Sequence, residues 1–531
     1  MILRIRALTL FAALAVLAGA CASSTPSGGG GATTAPAAGK AAYGGTVSFA
    51  MNSDITDMDP MLSGLFVDRH LHYAMYDSLV RVTPKGEIIP WLAEKWTITP
   101  DGKSYTFSLR SGVKYHDGTP FDAESVKWNL DRYRLTKDSR RTGELAPVDT
   151  VTVVDPATVR VDLKTPFAPF LATLIDRSGM MVSRKVVEAA GADFTRKAFK
   201  AGTGPFILTE AVKDDHYAFE KNPDWWGKSA NGDKLPYLDK VIIKPITDGS
   251  VRLTNVVTGQ VQATNAVTGK DVPQVKADPT LLYQEIAGIG YASMYPNRSK
   301  GFLFEDGRNV KAVSLALDRD ELLNKGPAQG VGTVAYGPIA PSHFAYDASF
   351  KPFAKPDVAA AKKLVADVGK GPLKFELLVS SGDAATLQFA QLMQSQLAKA
   401  DITMEIKSLL FNEIVKLQND HKHLGMTLIG WSGRTDPDGN VYDFVYTGRP
   451  NNNSSYSNKD VDKLLDDSRV ATDNAKRKEL LQKAQQIFAV DDPALIWYSF
   501  NAAQLLTAKN VQGFEVYPDQ LPRFQTVWLQ K

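Results

Sequence analysis

A short polar turn after an apolar run carries the residue types that are best suited to binding chemistry. The run "MTLI" is followed by "GWSGRTDPDGN", residues 430–440, which places Trp431 and Arg434 on a glycine-rich turn before Asp436 and Asp438. A turn uses Gly and Asp, but it has no need of an indole and a guanidinium. Because Arg presents a planar fork that suits a carboxylate or a phosphate, Arg434 is predicted to bind an anionic or acidic polar group. In the alternative interpretation, Arg434 pairs with Asp436 or Asp438 and only stabilises the loop.

Patterns that would indicate catalysis or a resident metal are weak in this sequence. It contains no Gly-x-Ser-x-Gly, no His-Glu-x-x-His and no Gly-Lys-Ser/Thr phosphate loop, and its carboxylates are dispersed. The pairs His70/His72 and His421/His423 have a spacing that could chelate a metal on a strand. A metal site needs further ligands from elsewhere, so we interpret them as surface or packing histidines. The sequence predicts a protein that is not an enzyme and that has no cofactor and no metal.

Length and composition indicate a soluble protein of more than one domain. A chain of 531 residues exceeds what one hydrophobic core usually contains. Its 44% hydrophobic and 22% charged residues are the balance of a globular protein. Its 61 basic and 58 acidic residues give no electrostatic case for a nucleic-acid partner.

The N-terminus has the pattern of an exported protein. "MILRIR" and the apolar "ALTLFAALAVLAGA" predict a signal peptide over residues 1–20, and this run is shorter than a membrane span. The only cysteine, Cys21, follows in "LAGAC", which resembles a bacterial lipobox. We expect Cys21 to be lipidated, followed by a flexible tether over residues 21–42. The protein would then be lipid-anchored to the outer face of the cell membrane or in the periplasm, and ordinary signal cleavage is the alternative.

Alternating helices and strands must position the turn. "WTITPDGKSYTFSL" predicts two strands around a Pro-Asp-Gly turn, and "FDAESVKWNLDRYR" predicts a helix capped by Asp122. In the second half, "NVKAVSLALDRDELLN" predicts one helix with Val310, Val313 and Leu317 on one face. Such alternation implies an open α/β sheet, which binds ligands at the carboxyl ends of its strands. Trp431 follows a predicted strand at such an end.

Several linked segments carry a family resemblance. They are "LAEKWTITPDGKSYTFSLRSGVKYHDGTPFDAESVKWNLDRY", "GTGPFIL", "KNPDWWG", "LPYLDKVIIKPITD", "NVKAVSLALDRDELL", "ALIWYSF" and "GFEVYP". Across nearly the whole mature chain, the sequence resembles the extracellular solute-binding proteins, family 5, of ABC importers, which include dipeptide, oligopeptide and nickel binders.

The resemblance implies an α/β, two-lobed periplasmic-binding-protein fold with an extra inserted subdomain and a hinge between the lobes. Lobe I would comprise residues 41–287, with the inserted subdomain at about 90–203, and lobe II would comprise residues 288–501. Residues 502–531 would return to lobe I.

The resemblance also implies a transport function without catalysis. Such a protein captures a peptide or peptide-like solute by lobe closure and delivers it to an ABC permease and ATPase complex. We expect a monomer at a membrane surface. The alternative solute is a non-peptide anion, such as an opine-like conjugate or an oligosaccharide acid, and nickel ranks below it. A transporter-independent surface receptor or a chaperone-like protein is the alternative of a different class.

The turn departs from the family's peptide-binding pattern at one position. In peptide binders, a Trp equivalent to Trp431 helps to form the pocket, and an Asp a few residues later receives the ligand's ammonium group. Here Arg434 stands at the Asp position. An ammonium group about 4 Å from a guanidinium, at an effective dielectric constant of about 20, is repelled by about 4 kcal/mol. Asp436 could have taken over the ammonium-binding role instead.

Other candidate ligand-binding residues come from the same resemblance. The loop after the first strand should line the cleft, and a loop of the inserted subdomain could face the solute. The complete candidate set is Gly430, Trp431, Arg434, Asp436, Asn52, Asp54, Arg140 and Arg141.

Overall fold

Strands occur along the whole described part of the chain. The computed structural model describes residues 40–369, 371–381 and 384–531, so the predicted signal peptide, Cys21 and nearly all of the tether lie outside the described residues. The described strands are β1 (Thr46–Met51), β2 (Val80–Val82), β3 (Ile88–Pro90), β4 (Ala93–Ile98), β5 (Ser104–Leu109), β6 (Val148–Asp155), β7 (Thr158–Leu163), β8 (Phe206–Val212), β9 (His216–Lys221), β10 (Lys240–Pro245), β11 (Ala263–Thr264), β12 (Leu281–Pro296), β13 (Thr333–Val334), β14 (Lys374–Ser380), β15 (Thr403–Leu409), β16 (Met426–Trp431), β17 (Ile496–Ala508), β18 (Val511–Gln512) and β19 (Trp528–Leu529).

Helices alternate with these strands most regularly after residue 300. They are α1 (Asp68–Met75), α2 (Ala123–Leu135), α3 (Phe170–Thr173), α4 (Arg184–Ala190), α5 (Gly249–Val257), α6 (Val272–Ala277), α7 (Gly307–Ala316), α8 (Arg319–Lys325), α9 (Val358–Val368), α10 (Ala384–Ala398), α11 (Phe411–Asn419), α12 (Asp438–Val445), α13 (Lys459–Val470) and α14 (Asn474–Gln486). Within the described ranges, none of the helices is long and apolar enough to cross a membrane.

One mixed sheet extends through the body of the protein. Its order is β15-β14-β16-β12-β17-β11-β1-β10-β9-β8, and β13 pairs with β17. The antiparallel strands β12 and β17 run through both halves of this sheet, and their pairing is irregular between Ala287/Ala502 and Tyr291/Phe500. A Cβ added at Gly288, inside this interruption, would lie 2.5 Å from the carbonyl oxygen of Asn501. The close approach of the two backbones therefore requires glycine there.

The two halves of the sheet have separate hydrophobic cores. The first half, around β1 and β10, buries side chains such as Phe49 and Val241. The second half, around β14 and β16, buries Met294 and Val313 in one cluster and Trp497 in another. Strands β12 and β17 therefore join two separately packed cores.

A separate four-stranded sheet forms a third packed region, which we call the four-stranded unit, residues 92–181. Its strand order is β4-β5-β7-β6, and its core includes Phe107, Leu130 and Tyr133. Asp122 caps helix α2 as predicted. The Asp122 side chain accepts a hydrogen bond from the backbone N–H of Ser125 at 2.8 Å, and this forms a capping box.

The single helix predicted over residues 309–324 is wrong. Helix α7 ends before Leu317, whose backbone is extended, and α8 begins after Asp318. Asp318 accepts a hydrogen bond from the backbone N–H of Glu321 at 2.9 Å, so it caps a new helix inside an apparently continuous apolar pattern. Val310, Val313 and Leu317 are all buried nevertheless, because both helices pack on the same core.

Candidate functional site

The turn after β16 is held by a residue that sequence reasoning missed. The side-chain oxygen of Asn440 accepts hydrogen bonds from Trp431 Nε1 at 3.2 Å and from the Arg434 backbone N–H at 2.8 Å. Its amide nitrogen donates to the carbonyls of Ile289 at 2.9 Å and Pro338 at 3.1 Å. Asn440 thus fixes the turn against the interruption in β12. Asn in a Gly/Asp-rich stretch is ordinarily interpreted as a turn residue, so local sequence carries no signal for this role.

Two glycines make room for the turn. Gly433 has a φ of +81°, and a Cβ added there would lie 2.4 Å from the carbonyl group of Ile289. A Cβ added at Gly439 would lie 2.6 Å from Cβ and Cγ of Arg434. The glycine-rich composition of the turn therefore lets Arg434 extend beside Trp431 while the backbone packs on β12.

Both aspartates of the turn already have arginine partners. Asp436 is paired with Arg477 through contacts of 2.8 and 2.9 Å, and Asp438 is paired with Arg469 at the same two distances. Pairing of Arg434 with Asp436 or Asp438 is therefore not what the structure contains. Asp436 is also poorly placed to receive an ammonium group, since both of its oxygens are engaged.

Arg434 lies against Trp431, and few of its side-chain donors have acceptors among the described residues. Its guanidinium carbon is 4.5 Å from the Trp431 ring centroid, and Nη1 donates to the carbonyl of Gly433 at 2.8 Å. Within the described residues, Arg434 forms no ion pair with a carboxylate. Burial and the positive charge of Arg69 lower the pKa of Arg434, although Asp176 acts in the opposite direction. The position therefore disfavours an uncompensated cation.

A cluster of charges, in which the arginines are buried, faces this turn from the four-stranded unit and from α1. Arg69 Nη1 lies 2.7 Å from Asp176, Arg177 Nε lies 3.7 Å from Asp176, and Arg141 Nη1 lies 2.7 Å from Glu144. The Nε atoms of all three arginines are buried without a hydrogen-bond partner among the described residues. Burial would raise the pKa of Asp176, but Arg69 and Arg177 hold it well below its usual range.

Positive charge exceeds negative charge in the combined cluster. Four guanidiniums surround the carboxylates of Glu144 and Asp176, namely those of Arg69, Arg141, Arg177 and Arg434. A third carboxylate, Asp68, is linked to the cluster through the Ser63 hydroxyl. This hydroxyl donates a hydrogen bond to Asp68 and accepts one from Arg177. An anion entering the cluster would be stabilised, since buried charges require compensation.

A cavity lies between this cluster and the turn. It encloses about 760 Å³, open solvent included. The residues that define its character are Glu144, Phe167, Asp176, Trp431, Arg434 and Arg469. Contacts from both sides enclose it, because Arg69 Nη2 donates to Ser432 Oγ at 3.1 Å and the Ala168 N–H donates to the Arg469 carbonyl at 2.7 Å.

A second and larger cavity has a mixed polar and apolar lining. It encloses about 2280 Å³, open solvent included, and its polar lining includes Asn52, Asn265, Ser499, Asn501 and Gln504. Phe66 also lines it, and the Arg69 guanidinium carbon lies 5.1 Å from the Phe66 ring centroid. Arg69 therefore contacts residues of both cavities.

The remaining predicted residues are dispersed. Asn52 lines the second cavity, Arg141 belongs to the charge cluster, and Arg140 is exposed. Asp54 accepts hydrogen bonds from the Tyr217 hydroxyl at 2.6 Å and from the Asp214 N–H at 2.9 Å, so it fixes the β8–β9 hairpin.

Gly430 contributes backbone rather than a side chain. A Cβ added there would lie 3.0 Å from the carbonyl oxygen of Tyr291. Its role is to let β16 lie close to β12 immediately before Trp431.

The histidine pairs serve packing and hydrogen bonding. His70 and His72 lie on helix α1 rather than on a strand, both are fully buried, and burial lowers the pKa of each to about 4. Burial likewise lowers the pKa of His423 to about 4, and His421 Nδ1 lies 2.8 Å from Ser455 Oγ. The described part of the chain holds no group of three or more His, Cys, Asp or Glu side chains that could bind a metal ion.

Comparison with known proteins identifies the family. The model of the bacterial extracellular solute-binding proteins, family 5 Middle, matches residues 87–453. The chain belongs to this family. The family prediction made from the sequence is confirmed, and the protein binds a solute.

Individual relatives match over most of their length. Di/tripeptide-binding protein 4 of Pseudomonas aeruginosa strain UCBPP-PA14 is 29% identical over 83% of this chain and 86% of its own. Glutathione-binding protein GsiB of Salmonella paratyphi A is 28% identical over 89% of this chain and 92% of its own.

A solved structure confirms the predicted fold class. The periplasmic binding protein DppA of Helicobacter pylori, in complex with peptide STSA, matches with a TM-score of 0.81 and 25% identity. The match covers 92% of this chain and 99% of that one. The chain therefore has the two-lobed α/β fold of the periplasmic binding proteins.

Proposed function

We propose that this protein captures a small peptide or peptide-like solute between two lobes and delivers it to an ABC permease and ATPase complex. Lobe I comprises residues 41–287 and 502–531, with the inserted subdomain at about 90–203, and lobe II comprises residues 288–501. The names of relatives that bind di/tripeptides and glutathione support a peptide-like solute. The cavity between residues 143–176 and the turn supports solute capture by lobe closure.

The proposed hinge is the interruption in the pairing of β12 and β17. Only these two long strands carry the main sheet from one half to the other in the described chain, and their register changes between Ala287 and Tyr291. A solute that contacts both lobes binds the closed form more tightly and shifts the population toward it. Closure needs a hinge of a few residues. Gly288 and Gly290 lie in this interruption, where the backbones of β17 and β16 approach too closely for a side chain.

We place an anionic group of the solute at Arg434. The observation that carries this proposal is the Arg434 guanidinium, which lines the cavity and has no carboxylate partner in the described part of the chain, on a turn whose two aspartates are both paired. A charge-assisted, bidentate contact is the strongest kind that Arg makes. The excess of guanidiniums also favours a second candidate, a non-peptide anionic solute with the same transport role.

We also propose that the protein is exported and anchored to a membrane through a lipid on Cys21. A lipidated cysteine on a tether would keep the protein beside its permease while it diffuses over the membrane surface. Metabolic labelling with a palmitate analogue should mark the protein, and Cys21→Ala should remove the label and release the protein. Retention of the label in Cys21→Ala would contradict the anchor.

Mass spectrometry of the solute that remains bound through gentle purification is the decisive experiment. We expect a small peptide or a peptide-like anion, which on readdition at about one hundred times its Kd should stabilise the protein by about 2.7 kcal/mol. Uptake of that solute by cells should require the permease as well as this protein. A bound solute that has no anionic group would contradict the placement at Arg434, and permease-independent uptake would contradict the transport role.

A further inference from the structure

We propose that Gly269 is a point at which the two proposed lobes meet when the cleft closes, and that the absence of a side chain there determines how tightly any solute is bound. Gly269 is then a positioning residue, because it acts through the closed geometry rather than through a bond to the solute. The inference rests on the proposed function, since it assumes that lobe I closes onto lobe II around the solute.

Gly269 contacts the opposite lobe through backbone alone. It is buried and begins a short 3-10 turn, Gly269–Asp271, in proposed lobe I, and the turn that follows α8, residues 326–331, belongs to proposed lobe II. A Cβ added at Gly269 would overlap the carbonyl oxygen of Ala328 and would lie 2.7 Å from that of Pro327. Non-bonded heavy atoms are attracted most strongly at about 3.5–4.0 Å, so no side chain fits between the two turns.

The fold of lobe I does not itself require glycine at this position. The φ angle of Gly269 lies outside the left-handed region, so its backbone conformation is open to other residues. Apart from its neighbours in the chain, the three atoms nearest to the added Cβ all belong to Pro327 and Ala328 of lobe II. Gly425 is the contrast, because its Cβ would lie 2.8 Å from the backbone nitrogen of Glu376 in the same lobe. The glycine at position 269 therefore serves the contact between the lobes.

Both turns in this contact are fixed by hydrogen bonds of their own. In lobe II, the Ala328 carbonyl accepts a hydrogen bond from the Val331 N–H at 2.9 Å. In lobe I, the Asp271 N–H donates to the Thr268 carbonyl at 2.9 Å. Deforming either turn would break such a bond, so a side chain at position 269 would instead hold the lobes apart by about 1 Å or more.

The contact lies beside the larger cavity, where it decides whether a solute can reach both walls. Gly269 and Ala328 both line the second cavity, and the lobes also touch beside the first cavity, where the Ala168 N–H donates to the Arg469 carbonyl at 2.7 Å. A solute drives closure because it binds the closed form more tightly. When closure is incomplete, the apparent affinity falls with the population of the closed form, whatever the solute is. A uniform loss of affinity for unrelated solutes is therefore the signature of this role.

Two substitutions of increasing size test the proposal by calorimetric titration of solute-free protein. A thermal-shift screen of dipeptides and tripeptides supplies two probes that bind the wild type and differ in net charge. We expect Gly269→Ala to weaken both probes, and Gly269→Leu to weaken both by a similar factor of at least about tenfold, because the longer side chain holds the lobes further apart. Without a probe, the urea unfolding midpoint of Gly269→Ala should be unchanged or slightly higher, because alanine loses less conformational freedom on folding than glycine does.

Spin labels measure the closure directly. Val257 on α5 and Lys363 on α9 are exposed on the two proposed lobes, so Val257→Cys and Lys363→Cys in a Cys21→Ser chain place one label on each lobe. Electron–electron double resonance gives the distance between the labels. A saturating probe should change this distance in the protein with Gly269, and it should change it less in Gly269→Leu.

Two control variants separate closure from general effects of added bulk. Ala277→Val enlarges an exposed side chain of lobe I, so probe affinity and label distance should stay at their wild-type values. Gly425→Ala should lower the urea unfolding midpoint, because its added Cβ meets backbone atoms of its own lobe. Gly269→Ala should lack that loss.

The outcomes separate this inference from the proposed function. Wild-type affinity in Gly269→Leu, a loss of affinity for one probe only, or a loss of stability without a probe would overturn the role of Gly269 and leave peptide capture intact. If no peptide binds the wild type, peptide capture is overturned. The label distances of the two proteins as purified, without removal of bound solute, then decide the inference: different distances support it, and identical distances overturn it.

Discussion

Charged groups on the turn after β16 and on the wall opposite are paired in different ways. On the turn side, Asp436 and Asp438 each accept both arms of one arginine. On the same turn, however, Arg434 has no carboxylate partner among the described residues, and on the wall opposite the arginines that pair with Asp176 and Glu144 retain buried Nε atoms for which the described residues supply no acceptor. Complete ion pairs stabilise the scaffold. Incompletely compensated positive charges in a cavity lack negative charge, which a solute can provide.

The largest effect should follow from breaking a complete pair. Asp436→Asn leaves Arg477, which is 4% exposed, without its carboxylate, so we expect a loss of about 3–5 kcal/mol in the free energy of unfolding. Equilibrium unfolding in urea measures this loss of stability. Asp467→Asn is the control, because the exposed Lys463–Asp467 pair should contribute about 1 kcal/mol or less. Equal effects of the two substitutions would show that the Asp436 pair is not structural.

Removing the hydrogen bonds by which Asn440 links the turn to the proposed hinge should have the next largest effect on stability. Asn440→Ala removes four hydrogen bonds and leaves buried groups unsatisfied, which should reduce the free energy of unfolding by about 2 kcal/mol. Solute affinity should fall too, because Arg434 is no longer positioned. The exposed Asn324→Ala is the matched control. Full solute affinity in Asn440→Ala would exclude a positioning role.

Neutralising Arg434 should reduce solute binding without reducing stability. Arg434→Gln should weaken binding of the native solute by about tenfold or more, the equivalent of about 1.4 kcal/mol. Thermal unfolding without solute should be unchanged or slightly improved, because a partly buried charge without a carboxylate partner is removed. A large loss of stability with unchanged affinity would instead make Arg434 a structural residue.

A pH-dependent effect concerns Asp57, an acid that has no arginine partner in the described structure. Burial and the charges of Asp59 and Asp68 raise the pKa of Asp57 to about 7, while a backbone hydrogen bond and Arg140 oppose the shift. The unfolded chain ionises Asp57 at about pH 4, so this residue destabilises the fold progressively from about pH 4 to 7. Asp57→Asn should match the wild type at pH 4 and exceed its stability increasingly up to pH 7. A constant difference across that range would contradict the raised pKa.

Local sequence patterns predicted much of the fold. Alternating apolar residues indicated β4 and β5, and Asp122 was recognised as the cap of α2, because strand period and cap chemistry depend on a few neighbouring residues. The break between α7 and α8 was missed, because Asp318 has the same local sequence signal whether it is an exposed helical residue or a cap.

The sequence by itself determined the family, the position of the turn and the presence of Arg434 in that turn. Each of these properties depends on contiguous residues. Only the tertiary structure decided that Asp436 pairs with Arg477, 41 residues away, and that Arg69 contacts Ser432, 363 residues away. It also brought Glu144 and Asp176 opposite Arg434. The physical reason is that charge compensation depends on distances through space, and several arginines were equally plausible partners in the sequence until packing selected among them.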